Sequence, residues 1–308
     1  MSLGLFVAIA VVSLAPGCDS QGVPFQPPDT TGAETTGADG VTEDTAGPGD
    51  VAPGWDWWSG DLLAWRAEQI PLQEVFHDID GVANATGYEI YAVGFRGAVL
   101  RLDSAVGTWQ DVSPSTALSI EGVWAAGPKH AWVCGEKGLL MRYEAPPGAT
   151  YAEWTDETDP LRPANLNGIH GSGPDDVWAV GEAGTVLRNQ GNGWTQIPHA
   201  DLQIPIEGAN DLYAVYARSP DDVWVAGQGM MIWWNGVEWD QRSVDKGDGY
   251  ISVGGTGDHI WIGSDGGYLW YFNGEFWKKI AAPIYYDYNA VWADTDGTAY
   301  ATGEDPSP

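Results

Sequence analysis

The chain has 308 residues, with 42 Gly, 18 Trp and 13 Tyr, and its 43 acidic residues against 13 basic ones give a formal charge of -30. So acidic a surface repels nucleic acid and anionic lipid, both of which need Lys/Arg patches, and it favours solubility and cationic partners. Two distant cysteines, Cys18 and Cys134, exclude a dense disulfide framework, and the length suits one large all-β domain or two ordinary ones.

At the N-terminus, Leu3 to Leu14 are nearly all apolar and stop at Ala15-Pro16-Gly17-Cys18. This run is the length of a signal-peptide core and falls short of the ~20 residues that span a bilayer, so residues 1–17 read as a signal peptide. The small residues ahead of the cysteine resemble a bacterial lipobox. That resemblance implies a diacylated Cys18 as the chain's membrane tether and a place in the cell envelope or outside the cell; a secreted, soluble protein is the alternative. Residues 18–53 continue with seven acids, six Thr, several Pro and Gly and no basic residue. They carry too little apolar surface to offset the entropy of folding and read as a disordered spacer.

From residue 54 to residue 308 the chain repeats itself. A short β-like run ending in glycine recurs as Ile90–Gly94, Ala131–Gly135, Val177–Gly181, Val223–Gly227, Ile260–Gly263 and Ala299–Gly303, with glycines 41, 46, 46, 36 and 40 residues apart. That is the size of one four-stranded propeller blade. An apolar strand A precedes each such strand B, at Val82, Val123, Ile169, Val215, Val253 and Val291, and Gly-x-x-Gly links such as Gly94 to Gly97 lead on to strand C. Asn192-Gly193, Asn235-Gly236 and Asn273-Gly274 then turn the chain into strand D and its tryptophan, as at Trp194, Trp239 and Trp277. A single meander cannot bury both apolar faces, so the copies must stack on one another.

The pattern predicts an all-β fold, a β-propeller of four-stranded antiparallel blades. Six blades are expected, the last closed by N-terminal strands. The sixth copy carries strands A and B, and Trp57-Trp58-Ser59-Gly60 with Trp65 matches Trp233-Trp234-Asn235-Gly236 with Trp239, so residues 55–67 are expected to supply its strands C and D. A ring of seven or more blades, cut short in this chain, is the alternative. The unit Ser-Pro-Asp-Asp-Val-Trp-x-x-Gly followed by Asn-Gly-x-x-Trp resembles the repeats of bacterial propellers of the photosystem-assembly-factor and Asp-box (sialidase-like) type. The Asn-Gly-x-x-Trp element keeps only the second half of an Asp-box, so the resemblance implies architecture and not activity.

The residues offer no catalytic constellation. Arg101, Arg142 and Arg188 share one strand-C position in successive blades and therefore do not converge as a carboxylate-clamping triad would; they read as snorkelling or salt-bridged repeat positions. The histidines, His77, His130, His170, His199 and His259, lack metal-ligand spacing, and no metal or cofactor is expected. Asp175-Asp176 and Asp221-Asp222 read as turn-capping pairs ahead of strand B, and Cys134 as a packed core thiol. The B–C turns vary where the rest repeats, which makes Arg96, Lys137, Glu182, Gln228, Asp265 and Glu304 candidates for binding one asymmetric partner. Trp58, Trp233, Trp234 and Trp270 are candidates for stacking on a sugar ring. The sequence thus points to a non-enzymatic binding or scaffolding module, a monomer, with protein as the partner. A lectin-like propeller is the alternative, and a sialidase-like glycoside hydrolase a more distant one.

Overall fold

The computed structural model describes residues 8–13, 70–72, 74–202, 210–242, 249–281, 287–293 and 298–304. The spacer, Cys18 and residues 55–67 lie outside the described residues. Among the described residues the strands form six antiparallel sheets, five of four strands in chain order and one of three in which an N-terminal strand joins the last two. Blade one is Phe76–Asn84, Gly87–Gly94, Val99–Asp103 and Thr108–Asp111. Blade two is Ile120–Gly127, His130–Gly135, Leu140–Glu144 and Glu153–Asp156. Blade three is Leu166–Gly173, Asp176–Gly181, Thr185–Asn189 and Trp194–Gln196. Blade four is Leu212–Ser219, Asp222–Gly227, Met230–Trp234 and Trp239–Gln241. Blade five is Tyr250–Thr256, His259–Ser264, Tyr268–Phe272 and Trp277–Ala281, and blade six has Asp287–Ala293 and Thr298–Glu304. The architecture is a β-propeller, and the described residues form six blades.

The repeated glycine that closes strand B has a cause other than turn geometry. A Cβ on Gly94, Gly135 or Gly181 would lie 2.1, 2.1 or 2.0 Å from the carbonyl oxygen of Val75, Ser119 or Asn165. The amide of the following residue donates to that same carbonyl, at 2.9 Å from Phe95, 3.0 Å from Glu136 and 2.9 Å from Glu182. Strand B is thus clamped against the start of strand A, and no side chain fits between them. Left-handed backbone comes two and three residues later, at Arg96 (φ 54) and Gly97 (φ 74), Lys137 (φ 56) and Gly138 (φ 75), and Ala183 (φ 55) and Gly184 (φ 66).

Side chains alternate across each blade, and both faces are apolar, so the core is laid down between neighbours. Five buried clusters do this, one at each junction from blades one and two to blades five and six. Their recurring element is a strand-D tryptophan set edge-on to the strand-B tryptophan of the preceding blade. Ring centroids are 5.5 Å apart for Trp194 and Trp132, 5.7 Å for Trp239 and Trp178, and 5.7 Å for Trp277 and Trp224. The outward flanks of the end blades are open by comparison. Ile79 of blade one is 62% exposed and Trp292 of blade six 57%. Ile70, Phe76, Ile79, Ala92, Leu100 and Trp109 line a groove of 440 Å³ on that flank of blade one.

Among the described residues the strand that pairs with Thr298–Glu304 on the side away from Asp287–Ala293 is N-terminal, Ala8–Ser13, with Ala10 opposite Ala301 and Val12 opposite Ala299; the strands expected from residues 55–67 lie outside the described residues. The run Ala-Ile-Ala-Val-Val-Ser is short, apolar and β-branched, and those properties suit a sheet strand as well as the core of a secretory leader.

Candidate functional site

Blades one to five each carry a ladder of three side chains built on strands B and C. In blade one it is Glu89, Tyr91 two residues on, and Arg101 directly across the sheet from Tyr91. Arg101 grips Glu89 through Nε (2.8 Å) and Nη2 (2.7 Å), while the Tyr91 hydroxyl and the Lys129 amide each donate to the same carboxylate at 3.0 Å. Glu89 and Arg101 are 2% and 6% exposed, so this is a buried, fully hydrogen-bonded ion pair. Burial alone would raise the Glu89 pKa; the Arg101 guanidinium and the Lys129 amide outweigh it and hold the carboxyl below its ordinary value.

Blade three repeats the arrangement. Asp176 accepts from Arg188 Nε (2.8 Å) and from the Trp178 indole (3.3 Å), and the Arg188 guanidinium lies 4.3 Å over the Trp178 ring. In blade four Asp222 accepts from the indoles of Trp224 and Trp233, both at 2.8 Å, and pairs with Arg218. The second Asp of each Asp-Asp pair is therefore an inward anchor for the ladder, a role that the turn reading did not give it. Blade five uses His259, whose Nδ1 meets the Tyr271 hydroxyl at 2.6 Å.

Blade two departs from this pattern. His130 takes the acid's place, two residues ahead of Trp132, and Arg142 stands across from Trp132. With no carboxylate beneath it, Arg142 turns to Glu144 (3.0 Å) and Glu157 (3.2 Å). The buried atoms His130 Nε2 and Trp132 Nε1 have no hydrogen-bond partner, while Arg142 Nε faces Glu157. Burial lowers the His130 pKa, so the imidazole is neutral at pH 7 and supplies no charge. Beside these atoms a cleft of 470 Å³ opens between blades two and three, lined by Trp132, Arg142, Glu157, Arg162, Asn189 and Trp194 among others. Glu157 fixes its floor by accepting from the Trp194 indole at 3.1 Å, and Arg162 donates to the Trp194 carbonyl at 3.2 Å. The substitution of His for Asp or Glu at residue 130 was visible in the repeat alignment; its meaning depended on knowing that the acid points inward.

The B–C turn candidates fall at two positions after the strand-B glycine, Glu182, Gln228 and Glu304 at the first and Arg96, Lys137 and Asp265 at the second. Arg96 has a side chain 77% exposed, 3.9 Å from Glu74, next to Phe95 at 47%. Lys137 and Gln228 are exposed as well. Glu182 is tied inward, accepting from the Asn165 side chain at 2.9 Å, and Asp265 accepts the Gly249 amide at 2.6 Å. The side chain of Glu304 lies outside the described residues, as does Trp58.

Of the tryptophans proposed to stack on sugar, Trp270 is corrected by the structure. It is 7% exposed and belongs to the core between blades four and five, because alternation along strand C turns it toward the preceding blade. Trp233 is half-buried, with Arg242 4.6 Å over its ring, and Trp234 is half-buried with its indole donating to the Pro220 carbonyl at 3.2 Å. His170 sits between Trp124 and Tyr216, with centroids at 5.8 and 5.0 Å, and accepts the Ala217 amide at 3.2 Å. Burial pushes its pKa down to about 4, which makes it a neutral interblade acceptor. Cys134 is buried, and burial raises its thiol pKa, so it is unreactive packing.

The innermost strand of blade one zips onto blade two through two carboxylates that the repeat pattern did not single out. Asp78 accepts the Val123 amide at 2.9 Å and Asp80 the Ala125 amide at 2.7 Å. Burial, with a smaller contribution from Asp80, raises Asp78 to a pKa of about 6. A carboxyl whose folded pKa exceeds its unfolded value holds its proton more tightly when folded, so the stability it confers is present at low pH and is lost as pH rises through about 6. Asp78→Asn is accordingly expected to be neutral near pH 4 and stabilising by on the order of 2 kcal/mol at pH 7.5. Urea melts of both proteins at the two pH values check this; equal stability at pH 7.5 would contradict it.

Sheet order, interblade tryptophans and acid-anchored ladders together define the class, a six-bladed β-propeller with a varied turn rim on a repeated frame. No family model and no curated protein matches the chain. Among solved structures, one described as YCF48 bound to D1 peptide has 15% identity and a TM-score of 0.41, covering 80% of this chain and 99% of that one. YCF48 from Cyanidioschyzon merolae has 16% identity and a TM-score of 0.44, covering 76% and 94%. The propeller assignment itself rests on this chain's own sheet topology.

Proposed function

We propose that this chain is a non-enzymatic binding or scaffolding propeller that holds a protein partner on its B–C turn rim, tethered outside the cytoplasm through a lipidated Cys18 in a processed form that no longer carries the Ala8–Ser13 strand. One observation carries this reading: on the clamped B–C turns the exposed residues change around the rim, from Phe95-Arg96 in blade one to Lys137 in blade two, Ala183 in blade three and Gln228 in blade four. Loops on a rigid scaffold vary in this way where one asymmetric surface is recognised.

A photo-crosslinking residue at Arg96 or Gln228 is expected to capture a discrete partner in the native envelope, whereas the same residue at Val237, 84% exposed in the C–D turn of blade four at the opposite ends of the strands, captures none. Identical captures from both places would remove the rim from the proposal. Cys18→Ala is expected to abolish incorporation of labelled fatty acid, and retention of the label would remove the anchor.

A further inference from the structure

Neighbouring blades meet in one way at five junctions, and that repetition shows what the outward flank of blade one is built to touch. Toward blade one, blade two presents Ile120, Val123, Val133, Met141 and Trp154, which pack with Tyr91 and Val93. Strand register puts Phe76, Ile79, Ala92, Leu100 and Trp109 at the matching positions of blade one. Those five residues line the groove of 440 Å³ on its outward flank, so the groove has the make-up of a surface that receives a preceding blade. Ile79 is 62% exposed there, whereas its counterparts Val123, Ile169, Val215 and Val253 are between 3% and 9% exposed. An apolar flank of this kind calls for a cover.

The innermost strands identify that cover. Two successive strand-A positions alternate with a period of two blades. Blades two, four and six carry an aromatic residue followed by alanine, as Trp124-Ala125, Tyr216-Ala217 and Trp292-Ala293. Blades one, three and five carry a polar or small residue followed by glycine, as Asp80-Gly81, His170-Gly171 and Gly254-Gly255. The first position of each blade faces the second position of the next. Trp124 lies over Gly171, where a Cβ would stand 2.4 Å from the ring, and the Tyr216 hydroxyl donates to the Gly255 carbonyl at 2.7 Å. Asp80 and His170 instead accept the amides of Ala125 and Ala217. Aromatic on glycine thus alternates with acceptor on alanine over the first four junctions. Trp292, 57% exposed on the far flank of blade six, is the third such aromatic, and Gly81 on the open flank of blade one is the third such glycine.

We propose that blade six closes directly onto blade one of the same chain, seating Trp292 over Gly81 and covering the groove with the flank of blade six. Groove composition, register and the fit of a large side chain on a glycine all continue the five junctions already formed, in which each blade packs on its two neighbours. An even ring keeps the alternation unbroken, whereas an odd number of blades would break it at one junction. Closure takes Ile79 and Trp292 out of water together, and burial of those two apolar flanks is its driving force. It is independent of what the turn rim holds.

A benzophenone side chain in place of Trp292 in the purified full chain is expected, on irradiation, to crosslink within the monomer to the peptide that carries residues 79–82. A crosslinked dimer assigns the flank to a second copy and overturns the closure. A crosslink to residues 55–67, or no crosslink at all, overturns it as well. A second measurement avoids the bulky probe. Alanine is the native residue at this position in blades two, four and six, so Gly81→Ala is compatible with the strand itself. It is expected to lower Tm by about 3 °C more in the parent chain than in Trp292→Ala, because the two positions are coupled through the seat. Gly171→Ala, set against the Trp124 ring, calibrates the size of that shift. Equal shifts in the two backgrounds overturn the seat of Trp292 on Gly81.

Discussion

Glu89→Ala is expected to destabilise the propeller by about 3–5 kcal/mol, the cost of breaking a buried ion pair by removing one partner. The substitution strands the Arg101 guanidinium, 6% exposed, and deprives the Tyr91 hydroxyl and the Lys129 amide of the acceptor they share. In a domain of this size that corresponds to a fall in Tm on the order of 10 °C. A paired replacement, Glu89→Leu with Arg101→Met, is expected to recover most of the loss, because an apolar pair of similar volume has no desolvation cost to offset. Chemical denaturation of the three proteins decides the matter, and a single-variant cost below about 1 kcal/mol would mean that water reaches the pair. The pH signature has the opposite sense to that of Asp78. The Glu89 pKa is lower folded than unfolded, so its contribution is full above the ordinary glutamate range and is lost as pH falls through the folded value.

The second large effect is expected at Trp178, 1% exposed between blades three and four. Trp178→Ala removes the ring that meets Trp239 at 5.7 Å and lies beneath Arg188, and it should cost about 3–5 kcal/mol as a large-to-small core change. Because each blade touches only its neighbours, the loss falls on one junction, and hydrogen exchange should quicken first in blades three and four. The Phe variants sharpen the comparison between blades. Trp178→Phe also removes the indole bond to Asp176, worth about 1 kcal/mol, whereas Trp132→Phe removes an N–H that has no protein partner. Equal costs for the two would show that a tightly held water satisfies Trp132 as well as Asp176 satisfies Trp178. Thermal melts alone suffice to separate these outcomes.

Much of this architecture was legible in the sequence because it is written in local chemistry. Period-two alternation, Asn-Gly turns and a recurring glycine specify a four-stranded meander, and repetition at the length of one blade specifies stacking. The strand-C arginines were also readable as repeated ion-pair positions, which Arg101 and Arg188 are. The inward direction of Asp176 and Asp222 was not legible, since an aspartate ahead of a strand serves a turn equally well. Trp270 was misjudged as available to a ligand because a composition-rich aromatic string does not say which ring faces the neighbouring blade. The N-terminal run illustrates the same limit: Ala8–Ser13 carries the hydrophobicity of a leader and the β-branching of a strand, and its pairing with Thr298–Glu304 joins residues at opposite ends of the chain.

By itself, then, the sequence determined the blade, its turns and the repetition that forces blades to pack face to face, because each depends on residues within a few positions of one another. Only the tertiary structure decided which carboxylates become buried anchors, which tryptophans close a junction, and that blade two keeps the Trp132 indole N–H without a protein partner beside a cleft. Those properties depend on desolvation and on contacts between strands some 40 residues apart, such as Asp78 with Val123, and burial is set by what the rest of the chain places around a residue.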